Sequence, residues 1–371
     1  MRSYRNILIA SAVIMAAVAC TKNTPDGPDP ITAPISISAT EGATKALLDN
    51  GSFKTTPGTK ALIESEDEFA KDGNRIQVYS YANGGYYFSD MIGPDVQGSP
   101  AAMGTAGVWP FVNGPHNWTS GTHRFYGWLT KDANSNLGPE DLFGDSFNCV
   151  TANKNVTVAA FNTDTQTLTI PTTTMSPSAP QFDFMYSNIF TTEPINSPVQ
   201  LEFSHLFSAI SFGLKNETSA TVTLTNLQIK LYNEQGAEIS FAGNQPSVQY
   251  LANTTSGTST FFSSNTSRQL APSGNATSSL ANLISGTNSK EYLLVWPHSA
   301  DMLKDCSIYL EYQKNYGSGP SQEWANLKFP DKMEAGKRYH YTITIQERAD
   351  VTIGYIVTEW STNNIQVPDF N

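Results

Sequence analysis

VQLEFSHLFSAISFGL, residues 199–214, is the stretch from which the fold is read. Val199, Leu201, Phe203, His205 and Phe207 alternate with Gln200, Glu202, Ser204 and Leu206. A period of two is that of a strand with one buried face. The apolar phase then moves by one residue, onto Ile210, Phe212 and Leu214. A strand cannot change phase without an extra residue, so a bulge or bend is expected near Ser208 and Ala209. Pro198 stands before the run and Lys215-Asn216 closes it. Ahead of it lies TTEPINS, residues 191–197, polar and proline-bearing, which reads as a linker. The expected organisation is two all-β domains, residues 35–197 and 198–371. The alternative is one more sandwich strand with no boundary before it.

Length and composition point the same way. A chain of 371 residues exceeds the usual size of one domain. Only 15% of residues are charged, while Thr, Ser, Asn, Gly and aromatics abound, which marks a β-rich, turn-rich chain. Leu, Ala, Glu and Lys nowhere recur over a long stretch at helical spacing.

The first residues read as a leader. Arg2 and Arg5 precede an apolar run over residues 7–19. That run is shorter than the roughly 20 residues that span a bilayer, but it fits a signal-peptide core. It ends in Ala17-Val18-Ala19-Cys20. Small residues before a cysteine resemble a bacterial lipobox, in which Cys20 carries acyl chains of the palmitate kind and becomes the mature N-terminus. The expected location is the outer membrane, anchored by lipid and facing the cell surface. The formal charge of −11 becomes two units more negative once Arg2 and Arg5 are removed. A chain this acidic has no basic patch for phosphate backbones, so a nucleic-acid partner is excluded. Residues 20–34 hold four prolines and form a tether.

Taken in order, ISISA (residues 35–39) is a short strand candidate. Ala43-Thr44-Lys45-Ala46-Leu47-Leu48-Asp49 and Gly58-Thr59-Lys60-Ala61-Leu62-Ile63-Glu64 then repeat one local form. An exposed loop with a lone lysine is where a trypsin-like protease cuts, so Lys45 and Lys60 are the candidate cleavage points. A solvated loop whose two halves match by chance is the alternative. RIQVYSY (75–81) is a strand, with Tyr86-Tyr87-Phe88 its hairpin partner across Asn83-Gly84-Gly85. Strands are also expected at 123–129, 168–170, 182–186, 221–232 with a slip at Asn226, 291–297, 307–312, 324–329, 337–345 and 351–360. Residues 253–289 are rich in Ser, Thr, Asn and Gly and read as a long surface excursion. The end, Ile365-Gln366-Val367-Pro368-Asp369-Phe370, alternates and suits an edge position.

Residues that carry chemistry are sparse. No nucleophile elbow, zinc-protease helix, phosphate-binding glycine loop or Ca²⁺ loop occurs. The carboxylates are scattered, and the five histidines lack metal-ligand spacing. No catalytic residue, metal site or cofactor is therefore expected. His205 lies on the apolar phase of its strand and reads as a hydrogen-bonded core histidine. Cys149 and Cys306 fall in different expected domains and read as buried thiols. Trp109, Trp118 and Trp128 fit sandwich packing better than stacking on sugar rings.

A lipobox, an ISISA strand, a basic cleavable loop and two β-rich halves resemble the fimbrillin family of Bacteroidota pilus subunits. VQLEFSHLFSAISF, LLVWP, EAGKRYHYTITI and the late VTEW carry the resemblance, which covers nearly the whole chain. It implies two transthyretin-like Greek-key sandwiches, export as a lipoprotein, protease removal of the first strand, and polymerisation with other fimbrillin subunits by strand donation. This chain departs by offering lysine, not arginine, between Cys20 and Arg75. The expected function is a structural fimbrial subunit supporting adhesion, not an enzyme, with Ile365, Val367 and Phe370 as the donor strand. The alternative is a surface glycan-binding lipoprotein using exposed aromatics.

Overall fold

The computed structural model describes residues 34–41, 75–92, 108–109, 111, 113–130, 160–174, 184–252, 257–264, 267–272, 274–279, 293–316, 319–348 and 351–359. They are almost entirely β. In chain order the early strands are β1 (Ile37–Glu41), β2 (Arg75–Ala82), β3 (Gly85–Ile92), β4 (Val108–Trp109), β5 (His123–Thr130), β6 (Ala160–Asn162) and β7 (Thr167–Thr174). Next come β8 (Phe184–Ser187), β9 (Phe190–Thr192), β10 (Val199–His205), β11 (Ser208–Asn216), β12 (Thr221–Leu231), β13 (Glu234–Ser240) and β14 (Ser247–Ala252). The remainder are β15 (Ser259–Ser264), β16 (Arg268–Leu270), β17 (Gly274–Ser279), β18 (Leu293–Val295), β19 (Ser307–Asn315), β20 (Pro320–Leu327), β21 (Lys337–Ile345) and β22 (Val351–Glu359). Among the described residues there is one short helix, α1 (Ala300–Leu303), which starts at Ser299, whose hydroxyl accepts from the Met302 N–H.

These strands form four sheets. The first runs β3-β2-β5-β8-β10-β1-β4, with β9 added beside β5, and the second runs β14-β13-β7-β6. Aromatic rings lock these two face to face. Tyr126 of the first stacks on Phe241, the residue just after β13, at 4.4 Å, and Trp128 meets Phe161 of β6 at 5.1 Å. The third and fourth sheets run β17-β11-β21-β22, with β18 beside β11, and β15-β12-β19-β20, with β16 beside β12. Their inward residues, among them Ile210, Leu214, Ile229, Leu310, Tyr341 and Ile343, share one buried cluster. The molecule is thus built as two face-to-face pairs of sheets.

The quoted stretch joins the two pairs. β10 is perfectly alternating, with Val199, Leu201, Phe203 and His205 buried and Gln200, Glu202 and Ser204 exposed. The phase slip is not a bulge within one strand. β10 hydrogen-bonds to β8 and β1 in the first sheet, whereas β11 hydrogen-bonds to β18, β17 and β21 in the third. The chain changes sheet at Leu206-Phe207, both buried, and a residue consumed in the corner resets the phase. The sheet change therefore lies inside the stretch rather than ahead of Val199. TTEPINS contributes its first two residues to β9, which pairs with β5.

A second crossing was not foreseen. β13 pairs with β7 over Glu234–Ser240, so a hairpin from beyond the stretch completes the first sandwich. Arg124 of β5 clamps the end of β13, its Nη2 donating to the carbonyls of Phe241 at 2.7 Å and Gly243 at 2.6 Å. Residues 253–289, read as an excursion, contain β15, β16 and β17, which bury Phe261, Phe262 and Leu270.

Local readings hold elsewhere. The turn between β2 and β3 places Asn83 at φ 51° and Gly84 at φ 81°, the paired left-handed conformation of a two-residue hairpin. The slip in β12 falls between Leu224 and Asn226, where its register with β19 shifts. Cys306 is a free, buried thiol, pushed up to about 11 by burial. Cys149 lies outside the described residues.

His298 yields a pH prediction. It is buried beside β18, and its Nδ1 lies 2.6 Å from the Trp296 carbonyl. Burial lowers its pKa from 6.5 to about 4. The folded state therefore refuses a proton that the unfolded chain accepts below pH 6.5. The stabilisation is complete above pH 6.5 and is lost as pH falls to about 4, by about 3 kcal/mol. Urea midpoints measured between pH 7 and 4 are expected to fall less steeply in His298→Gln than in the unaltered chain.

Candidate functional site: the seat of the first strand

β1 is an interior strand of the first sheet, although it stands near the start of the chain. It lies parallel to β10, with Ile37 opposite Val199, Ala39 opposite Leu201 and Glu41 opposite Phe203. On its other side Ile37 and Ser38 face Trp109 and Val108 of β4. The seat continues before the strand begins. The Ile35 N–H donates to the His116 carbonyl at 2.8 Å, Pro34 bridges Asn117, and the Val199 N–H donates to Ser36 at 2.9 Å. The segment is thus held by backbone hydrogen bonds on both edges.

Side chains fill the seat. Ile35 and Ile37 are buried in a cluster with Ile76, Val78, Phe88, Ile92, Trp109, Trp118, Phe125, Met185, Val199, Leu201 and Phe203. This cluster is separate from the larger one that serves the rest of the molecule. The alternation of β10 is what presents Val199, Leu201 and Phe203 on one face towards it.

The outer wall of the seat is pinned by a buried carboxylate. Asp90 of β3 accepts from the Met91 N–H at 2.7 Å, the Asn113 N–H at 3.1 Å and the Asn113 side-chain amide at 2.9 Å. The His116 Nε2 lies 2.8 Å from Asp90 Oδ2, the oxygen that also takes the Asn113 N–H, and the His116 ring stacks on Phe88 at 3.9 Å. A buried carboxylate must be fully hydrogen-bonded, and here those bonds fix residues 113–117 as the lip that grips Ile35. Sequence reasoning missed Asp90 and Asn113, because nothing local links two polar residues so far apart in the chain.

The other expected site residues fall as follows. Cys20, Lys45, Lys60, Ile365, Val367 and Phe370 lie outside the described residues. Trp109, Trp118 and Trp128 are buried, which overturns the glycan-binding alternative at these positions. The histidines serve the architecture: His123 Nε2 lies 2.9 Å from the Thr119 carbonyl, and His340 Nδ1 lies 2.8 Å from the Ser211 hydroxyl. His205 is buried on the apolar face of β10. Among the described residues no group of three or more His, Cys, Asp or Glu side chains could hold a metal ion, and no helix is long and apolar enough to cross a membrane.

A family model described as fimbrillin-like matches residues 59–360. No curated protein matches the chain. Among solved structures, a proposed cell adhesion protein of Bacteroides ovatus is 16% identical, with a TM-score of 0.43, covering 90% of this chain and 99% of its own. A proposed cell adhesion protein of Parabacteroides distasonis is 10% identical at a TM-score of 0.47, with 89% and 97% covered. A fimbrial assembly protein of Parabacteroides distasonis is 13% identical at a TM-score of 0.39, with 89% and 100% covered.

Proposed function

The chain belongs to the fimbrillin-like family, and from that premise we propose that it is a structural subunit of a surface fimbria, assembled by strand donation and supporting adhesion. The observation that supports strand donation most is the seat of β1. A strand of few residues occupies an interior position, holds two buried isoleucines in a cluster of its own, and precedes residues 42–74, which carry Lys45 and Lys60. Cleavage at either lysine cuts the covalent link between β1 and the rest of the sheet. Its departure would leave the N–H and C=O groups of β10 unpaired above an apolar groove. A strand from another subunit restores both, the main chain giving affinity and alternate side chains giving register. The contact is head-to-tail and does not close on itself, so it propagates as a filament.

The donor in this reading is Ile365–Phe370. Ile365 and Val367 repeat the spacing of Ile35 and Ile37, and Pro368, which has no N–H, limits pairing to the residues before it. The two domains of this reading follow the two sandwiches, with the chain crossing between them at Leu206-Phe207 rather than at Ser197-Pro198 and with the β13–β14 hairpin lent to the first. Mature protein treated with trypsin is expected to form filaments visible by electron microscopy. A cleaved chain that stays monomeric at high concentration would overturn the reading.

Export follows the same proposal. Cys20 carries acyl chains and tethers the subunit to the outer membrane through residues 21–34 until cleavage at Lys45 or Lys60 frees it. A fatty-acid probe is expected to label the unaltered chain and to leave Cys20→Ala unlabelled. Equal labelling of both would sink the lipid anchor without touching the strand-donation argument.

A further inference from the structure

The outward face of the sheet β15-β12-β19-β20 has no part in the seat or in the core. Ile308, Leu310 and Tyr312 of β19 are buried, so Tyr309, Glu311 and Gln313 turn the other way. Register aligns them in rows across three strands. Asn226 stands beside Glu311 and Trp324, Gln228 beside Tyr309 and Asn326, and Thr223 beside Gln313 and Gln322. Strands lie about 4.8 Å apart, so the three rows make a flat field about 10 Å wide.

Trp324 sits on this field at 70% exposure. An indole is normally spent on burial, and nothing in the packing of β20 requires one here. Its neighbours are amides and one carboxylate. Tyr309 donates its hydroxyl proton to Glu311 Oε1 at 2.6 Å, and Gln313 Nε2 donates to Gln322 Oε1 at 2.8 Å. These bonds hold side chains in place across the face before any ligand arrives.

We propose that this face binds a neutral glycan. Trp324 stacks against the C–H face of one sugar ring, Gln313 and Gln322 exchange hydrogen bonds with ring hydroxyls, and Glu311 accepts from one. The chemistry matches because amides and hydroxyls each donate and accept, and because a rigid indole offers contact area at little entropic cost. Charge selects against an anionic polymer. The chain carries −11, and Lys328, near the face, already donates to the carbonyls of Lys304 and Cys306. A second protein would want an apolar centre within about 800 Å² per partner, and among these rows only Trp324 and Tyr309 offer rings. This site is independent of filament assembly and stands or falls apart from it.

The test uses the full, uncleaved chain and three neutral hexasaccharides, of β-1,4-glucan, α-1,4-glucan and β-1,4-mannan, titrated by calorimetry and by tryptophan fluorescence. At least one is expected to bind, and polygalacturonate, the anionic control, is not. Trp324→Ala is expected to weaken binding by about tenfold or more, and Gln313→Ala by several-fold. Since Trp324 is exposed, its removal leaves the thermal midpoint unchanged, so lost binding is not lost folding. No binding of any hexasaccharide at millimolar concentration overturns the proposal, as does equal binding by Trp324→Ala. Preference for the anionic polymer overturns the ligand class. A Trp324→Ala chain that binds sugar normally but fails to polymerise assigns the face to subunit contact instead.

Discussion

A chain carrying Lys45→Gln and Lys60→Gln, treated with a trypsin-like protease, is expected to remain monomeric under conditions in which the unaltered chain polymerises. A chain lacking Ile365–Asn371 is expected to do the same, for a different reason. The first keeps β1 in its seat, so no groove opens; the second opens the groove and has nothing to fill it. The size of the effect follows from the seat. Burying each isoleucine is worth roughly 1.5–3 kcal/mol, so Ile35 and Ile37 together account for about 3–6 kcal/mol of the pairing. That corresponds to a factor of about 10² to 10⁴ in affinity before main-chain hydrogen bonds are counted. Mixing the two variants separates the roles: the truncated, cleaved chain still offers a groove, the uncleaved Lys45→Gln/Lys60→Gln chain still offers Ile365–Phe370, and the two should pair without growing further. Sedimentation and electron microscopy read the outcome. Polymerisation of both variants at the unaltered rate would show that another strand or another cut is used.

Trp128→Ala is expected to destabilise the first sandwich by about 3–5 kcal/mol. Trp128 is fully buried between the first two sheets, 5.0 Å from the Tyr79 ring, 5.1 Å from Phe161 and 6.1 Å from Phe241. Truncation removes the ring from three aromatic contacts and leaves a void that strands fixed by ladders cannot close. Domains of ordinary stability have about 5–15 kcal/mol in total, so the variant should unfold at a much lower urea midpoint. Trp324→Ala is the matched control, since the same chemical truncation at an exposed site should move the midpoint by about 0.5 kcal/mol or less. Equal shifts in the two variants would contradict the burial that separates them.

Much of the β architecture was legible because it depends on local pattern. The alternation of residues 199–205 gave the inward set of β10, the Asn83-Gly84 pair gave the hairpin, and the break at Asn226 gave a true register shift. The slip after His205 was seen but misassigned, because a bulge and a change of sheet leave the same mark on a one-dimensional pattern. β15 to β17 were hidden by their Ser, Thr and Asn content, although Phe261, Phe262 and Leu270 anchor them. β13 was missed because EQGAEIS has the composition of a turn and becomes a strand only against β7 and β14. Of the seat, the two isoleucines and the face of β10 could be read directly. The parallel union of β1 with β10, and the grip of Asp90 on residues 113–116, join parts of the chain that no period or spacing relates.

The shared hairpin has a mechanical consequence. Among the described residues the chain passes between the two sandwiches three times, from β10 to β11, from β12 to β13 and from β14 to β15. Two modules joined by one connector behave as beads on a string, and a pull rotates each about its joint. Three covalent connectors divide the tension and resist both bending and torsion. The packing at the crossing adds to this stiffness, with the Tyr250 hydroxyl donating to the Leu206 carbonyl at 2.9 Å and Phe207 set edge-on to Trp296 at 4.9 Å. Under traction, such a subunit transmits force as a single rigid link, and compliance is confined to the seams between neighbours.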